Sequence, residues 1–115
     1  MQIEIGTSIV DIVVAYEKAE RYADAMVREW QRNVKIGDCF RQKVSDCLDI
    51  YGEVIGDGFG KNWRLCRCYS FACPDGEAGS VHVSQMDEII PKEALEEMKL
   101  ILLVLDKNAR RCGLL

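Results

Sequence analysis

The segment from Ser8 to Arg32 reads SIVDIVVAYEKAERYADAMVREWQR, and its periodicity decides the architecture. Apolar residues recur at Ile9, Ile12, Tyr16, Ala19, Ala23, Met26 and Trp30, alternating steps of three and four, with Val13 and Val27 widening the stripe. The opposite face carries Glu17, Lys18, Arg21, Asp24, Arg28 and Gln31. Glu17 precedes Arg21, and Asp24 precedes Arg28, by four residues in the favourable order for helical ion pairs. Thr7 and Ser8 offer an N-cap, and Asp11 sits near the positive end of the dipole. The spacing predicts one continuous amphipathic helix over residues 8–32.

That length has a consequence. About 25 residues at 1.5 Å each span ~37 Å, whereas a compact domain of this size is only ~35 Å across. One end of the stripe therefore outruns its own domain, and Ala19 and Ala23 leave room for a second helix to approach. Two readings follow. In one the stripe packs on the chain's own sheet and second helix. In the other Ile9, Ile12, Tyr16, Ala19, Ala23, Met26 and Trp30 form the seam of a homodimer.

Downstream of the helix the period shortens. Val34-Lys35-Ile36 reads as a strand entering a Gly37-Asp38 turn, followed by Cys39-Phe40-Arg41. Residues 48–55 form a second strand with Gly52 as a bulge. Gly56 to Asn62, with three glycines, is a hairpin loop. Residues 63–70 are a third strand, and Cys73-Pro74-Asp75-Gly76-Glu77-Ala78-Gly79 is a turn region. Residues 80–85, with Val81 and Val83 on one face, make a fourth strand. Pro91 then suits the first turn of a helix over residues 92–111, whose middle (Leu100 to Leu105) is apolar almost all round, as in a helix covered on more than one side. The expected fold is α+β: about four antiparallel strands (β region 34–86) between long N- and C-terminal helices, in one domain spanning residues 1–115.

The Lys35-Ile36-Gly37-Asp38 start and the later Gly52-Glu53-Val54-Ile55 loosely resemble small SH3-like barrels over residues ~34 to 90. The resemblance implies a small antiparallel barrel or strongly twisted sheet. Aromatic groove residues of such barrels find no position-by-position match, so it carries fold and no function.

Composition narrows the function classes. The 115 residues are 49% hydrophobic and 30% charged, an ordinary globular balance, with net charge −4 and pI near 5.0. An acidic balance opposes non-specific attraction to nucleic acid and anionic membranes. The N-terminal Met1-Gln2-Ile3-Glu4-Ile5 carries an acid where a secretory leader carries bases, and the longest apolar run, Leu100 to Leu105, is about a third of a membrane span. The expectation is a cytoplasmic protein without a membrane partner, whose six cysteines stay reduced and act as small buried hydrophobes.

Candidate chemistries are few. Cys66, Cys68, Cys73 and His82 have the ligand types for zinc, but C-x-C-x4-C-x8-H lacks the C-x2-C knuckle. Cys73 with His82 is a conceivable thiol–base pair, although the serines flanking His82 at even spacing place it towards solvent. The glycine loop fails a phosphate-binding pattern at Ile55 and Asn62 and a dinucleotide pattern at Lys61, so no cofactor is implied. Asp75 and Glu77 lack the further oxygen donors of a calcium loop. Lys61, Arg64 and Arg67 lie near Phe59, Trp63 and Tyr69, as in a nucleic-acid stacking platform, yet Arg64 and Arg67 have opposite strand parity. What remains is a non-enzymatic interaction module, self-associating through its helices and contacting an unidentified protein partner through a groove near Trp63, Tyr69 and Phe71. The alternatives are a nucleic-acid-binding regulator and a zinc- or thiol-dependent activity.

Overall fold

The computed structural model describes residues 9–45 and 49–113, with the backbone alone for Ile9 and Val10. The Thr7/Ser8 cap, the Ile9 side chain, Cys47 and the Leu48 strand start lie outside the described residues. The order is α1 (Ile9–Ala25), α2 (Glu29–Arg32), β1 (Cys39–Lys43), β2 (Asp49–Asp57), β3 (Trp63–Tyr69), β4 (Glu77–His82), a 3-10 turn (Val83–Gln85), β5 (Glu88–Ile90) and α3 (Lys92–Arg111). The protein is α+β, with the C-terminal helix at the expected residues.

The N-terminal rod is not continuous. After Ala25 the chain closes with short-range bonds, Met26 N–H to Ala23 O and Val27 N–H to Asp24 O. Arg28 is extended (φ −81°, ψ 157°), and its N–H is taken at 2.6 Å by the Gln31 side-chain oxygen. That bond replaces the one a continuing helix would make. It is the half of a capping box in which the third residue reaches back to the cap. The Gln31 amide nitrogen meanwhile donates to Met86 O at 2.7 Å, so a fully buried glutamine ties α2 to the chain before β5.

The sheet is antiparallel in the order β4-β3-β2-β1-β5. It stays open, with β4 and β5 at its edges, and does not close into an SH3-like barrel. There are five strands among the described residues rather than four. Glu88 to Ile90, which the sequence assigns to no element, pairs with Cys39 to Arg41. Residues 34–36 are not a strand. Lys35 to Asp38 form a turn in which Gly37 has φ +96° and the Asp38 carboxylate accepts the Lys35 N–H. The last meander strand runs from Glu77 to His82, so residues 77–79 pair with β3 instead of turning and residues 83–85 turn instead of extending. The bulge falls between Val54 and Gly56, not at Gly52.

Both faces of the sheet are covered, which is why neighbouring Cys39 and Phe40 are both buried. Phe40, Val54, Cys66 and Val81 face Val27, Val34, Val83 and Met86. On the other side Cys39 and Tyr69, with Tyr51 and Ile90 beside them, meet Leu95 and Leu102 of α3. Gly52 is required by packing. A Cβ there would lie 2.5 Å from Cζ of the fully buried Phe40 ring.

Replacing Gly52 with Ala is expected to destabilise the protein by about 1–3 kcal/mol through overpacking. In a Phe40→Leu background the same change should cost much less. Urea denaturation of the four-member cycle measures the coupling, and additive effects would contradict this account of Gly52.

Candidate functional site: the junction of α1 with the β3–β4 hairpin

One surface of α1 meets the end of the β3–β4 hairpin through polar side chains. Glu20 and Asp24, four residues apart, point the same way. The Asp24 Oδ1 accepts from Asn62 Nδ2 at 2.9 Å and from His82 Nε2 at 2.8 Å, and Glu20 accepts from the Trp63 indole N–H at 3.1 Å. Trp63 and His82 are direct cross-strand partners whose rings meet edge to face, 5.0 Å between centroids.

His82 is only 2% exposed, contrary to the solvent-facing position expected from its flanking serines. Strand parity fails there because β4 ends at His82, and the imidazole caps the following 3-10 turn. The Ser84 N–H reaches Nδ1 at 3.2 Å and Ser84 Oγ lies 2.7 Å from it. A backbone N–H aimed at Nδ1 makes that nitrogen an acceptor, so the ring proton sits on Nε2, towards Asp24. Asp24, His82 and Ser84 thus have the residue types of a nucleophile relay. The basic lone pair, however, is shared with a backbone donor, and the ring serves as cap and strut.

A cavity of about 210 Å³ remains between helix and sheet, bounded by Tyr16, Ala19, Glu20, Ala23, Trp63 and His82 among others. The line Tyr16, Ala19, Ala23, read as a seam, faces this cavity. Trp30 lies on α2, beyond the break. A second cavity of about 240 Å³ adjoins it, lined by Tyr16, Phe59, Trp63 and Ser80.

The other candidate sets are not assembled. Trp63 and Tyr69 sit at opposite ends of β3, roughly 20 Å apart at 3.3 Å per residue. Tyr69 is buried beneath α3, and Phe71 stands beyond the strand beside Val44 and Ile50. The proposed groove therefore does not form. Arg64 is committed to the fold, donating to the carbonyls of Val34, Lys61 and Trp63 at 2.8–2.9 Å. Arg67 points to the opposite face, near Asp75 O, and Lys61 is exposed in the hairpin loop, so the three cations share no surface.

Cys73 lies in the turn between β3 and β4, at the far end of the hairpin from His82, which rules out the thiol–base pair in this fold. Among the described residues no group of three or more His, Cys, Asp or Glu is placed to hold a metal ion. Cys39 and Cys66 are buried, as expected of small hydrophobes, and desolvation pushes the Cys66 thiol up to about 12. Cys112 is exposed. No described helix is long and apolar enough to cross a membrane. The aromatic cavity and the Asp24–His82 strut were not legible beforehand, because both depend on where α1 lands.

Comparison with protein-family models, with curated proteins and with solved structures finds no match to this chain, so geometry and chemistry alone bear on its function.

Two outcomes follow. The hydrogen bond from Asn62, and secondly that from His82, hold the Asp24 carboxyl below its ordinary value of 3.8. A depressed folded value stabilises the protein above the ordinary value, and that contribution is lost as pH falls through the lower one. The stability gap between wild type and Asp24→Asn should therefore be full at pH 6 and shrink towards pH 3, as thermal melts across that range will show. In native protein at pH 8, iodoacetamide should label Cys112 well before Cys66, and peptide mapping that finds Cys66 labelled first would contradict its burial.

Proposed function

We propose that this chain is a non-enzymatic interaction module that pairs with a second copy of itself, antiparallel, through the outer face of α3. The observation that carries the reading is the pattern on that face. Leu95 and Leu102 turn inward to the sheet. Leu100 (66% exposed) and Val104 (57%) are left uncovered on the far side, with Ile101 and Leu105 exposed along one flank. They form two adjoining pairs at i, i+4, with Leu103 also exposed nearby.

Charges flank these residues in a self-complementary order. Glu93 and Glu97 precede them, Lys107 and Arg111 follow, and all four are exposed on the same side of the helix. Glu93 and Arg111, Glu97 and Lys107, and Leu100 and Val104 are each spaced symmetrically about Leu102. A two-fold axis at that point sets acid against base at both ends and Leu100 against Val104 in the middle. A parallel arrangement would set like against like.

The size is adequate. The exposed aliphatic groups of Leu100, Ile101, Leu103 and Val104 amount to roughly 350 Å² per chain, within what a monomer leaves in one patch. Burying them contributes about 10 kcal/mol gross per chain, before the costs of association. Two such patches make roughly half of a standard interface, the share expected of its apolar centre.

Light scattering coupled to gel filtration should give twice the 13.0 kDa chain mass at micromolar concentration. Leu100→Glu with Val104→Glu should halve it with the helical circular-dichroism signal intact. Glu93→Lys/Glu97→Lys should weaken pairing, and adding Lys107→Glu/Arg111→Glu should restore it. A wild-type monomer at these concentrations would sink the reading. Dimerisation indifferent to both charge sets would remove the antiparallel register.

A further inference from the structure

We infer that Tyr16, Phe59 and Trp63 form an aromatic cage for a quaternary or highly methylated ammonium group. The three side chains come from three places, α1, the β2–β3 hairpin loop and the start of β3, and converge on one cavity of about 240 Å³. That volume, open to solvent on the Phe59 side, is ample for a trimethylammonium head of four heavy atoms.

Trp63 is fixed by side-chain contacts, Tyr16 is carried by its helix, and Phe59 is placed by the backbone of its turn alone. Trp63 is pinned by its N–H to Glu20 at 3.1 Å and by the edge of His82. Phe59, 92% exposed, has no covering that would account for a phenyl ring in a turn. Its position follows from Gly58, where a Cβ would lie 2.5 Å from the Trp63 carbonyl carbon, and from Gly60 at φ +109°. Only a glycine lets the loop double back this closely on Trp63, and that fold brings Phe59 to the cavity. Tyr16 is carried in by α1, which Asp24 docks two turns further on.

Charge selects the ligand class. The faces of Trp, Tyr and Phe attract a cation through the ring quadrupole, and desolvated cations most strongly. The neighbouring cavity shares Tyr16 and Trp63 and adds the Glu20 carboxylate, while no lysine or arginine lines either one. A neutral apolar ligand would gain from the rings but nothing from Glu20. An anion would be opposed by both.

The test uses the full chain in a Trp30→Phe background, where Trp63 is the sole indole. Choline, a peptide bearing trimethyl-lysine and the same peptide with unmodified lysine are titrated while Trp63 emission is followed. The uncharged isostere 3,3-dimethylbutanol and sodium chloride serve as controls. Saturable quenching by choline, by the trimethyl-lysine peptide or by both is expected, and which of the two is tighter separates a free head group from a side chain. The isostere should bind at least about tenfold more weakly. Phe59→Ala, at a position too exposed to matter for folding, should weaken binding by about two- to fivefold, and Glu20→Gln by a few-fold. No saturable response, equal binding of the isostere, or full affinity in Phe59→Ala would overturn the assignment. The readout at Trp63 does not depend on whether α3 is paired, so either proposal can fail without the other.

Discussion

The Asp24 carboxylate is the contact on which the arrangement of this molecule turns. Among the described residues helix α1 contributes none to either buried apolar cluster; the first to do so is Val27, beyond its end. What holds the helix to the sheet is a pair of acids one turn apart, Asp24 on Asn62 and His82, Glu20 on Trp63. Polar contacts are directional, and these three fix the rotation of α1 about its axis. The small side chains Ala19 and Ala23 then face the sheet without filling the space, and a cavity survives where a larger residue would have closed it. The His82 ring is central because it is used at both nitrogens, one towards the helix and one towards the turn that ends β4.

The break after Ala25 belongs to the same logic. Were residues 8–32 one rod, Gln31 would be a polar side chain on its outer face. Instead its oxygen captures Arg28 N–H and its nitrogen reaches the Met86 carbonyl, so one buried amide ends one helix segment and anchors the next. A buried glutamine satisfied on both sides costs little, whereas an apolar replacement would strand a backbone donor and an acceptor. Val27 and Val34 are thereby free to enter the core on either side of a short turn of helix.

Periodicity read the regular elements well and the junctions poorly. Helix α3 spans the residues its apolar spacing indicated, and three strands of the meander fall near their expected places while the fourth lies three residues early, because alternation and turn chemistry are local properties and strand ends are not. The closure of the sheet is not local. The Lys35 to Asp38 and Gly52 to Ile55 segments resemble barrel pieces, yet an open sheet uses the same turn and the same pairing of neighbours. β5 is three residues long and too short to announce itself by alternation. Even spacing among serines misplaces His82 because strand parity does not carry across the end of β4. For Gln31 a signal was present, a glutamine three residues after Arg28, but the heptad pattern around it outweighed a capping motif lacking its Ser or Thr. The aromatic cavity had no sequence signature, since Tyr16 lies more than forty residues from Phe59.

Two of the exposed apolar surfaces differ chemically, and the difference argues for two different occupants. On α3 they are branched aliphatics on a convex, rigid surface, bracketed by acid at one end and base at the other. Aliphatics on a ridge gain only from another apolar surface, and a charge order with its own two-fold symmetry is satisfied most simply by a copy of itself. Around Phe59 they are aromatic, concave and bordered by a carboxylate. A second α3 ridge has no basic group at its apolar centre to meet Glu20, and its width exceeds a cavity of about 240 Å³. A small cation meets both demands of the cavity and neither demand of the ridge. The two surfaces therefore do not compete, and a chain paired through α3 would present two such cavities to solvent.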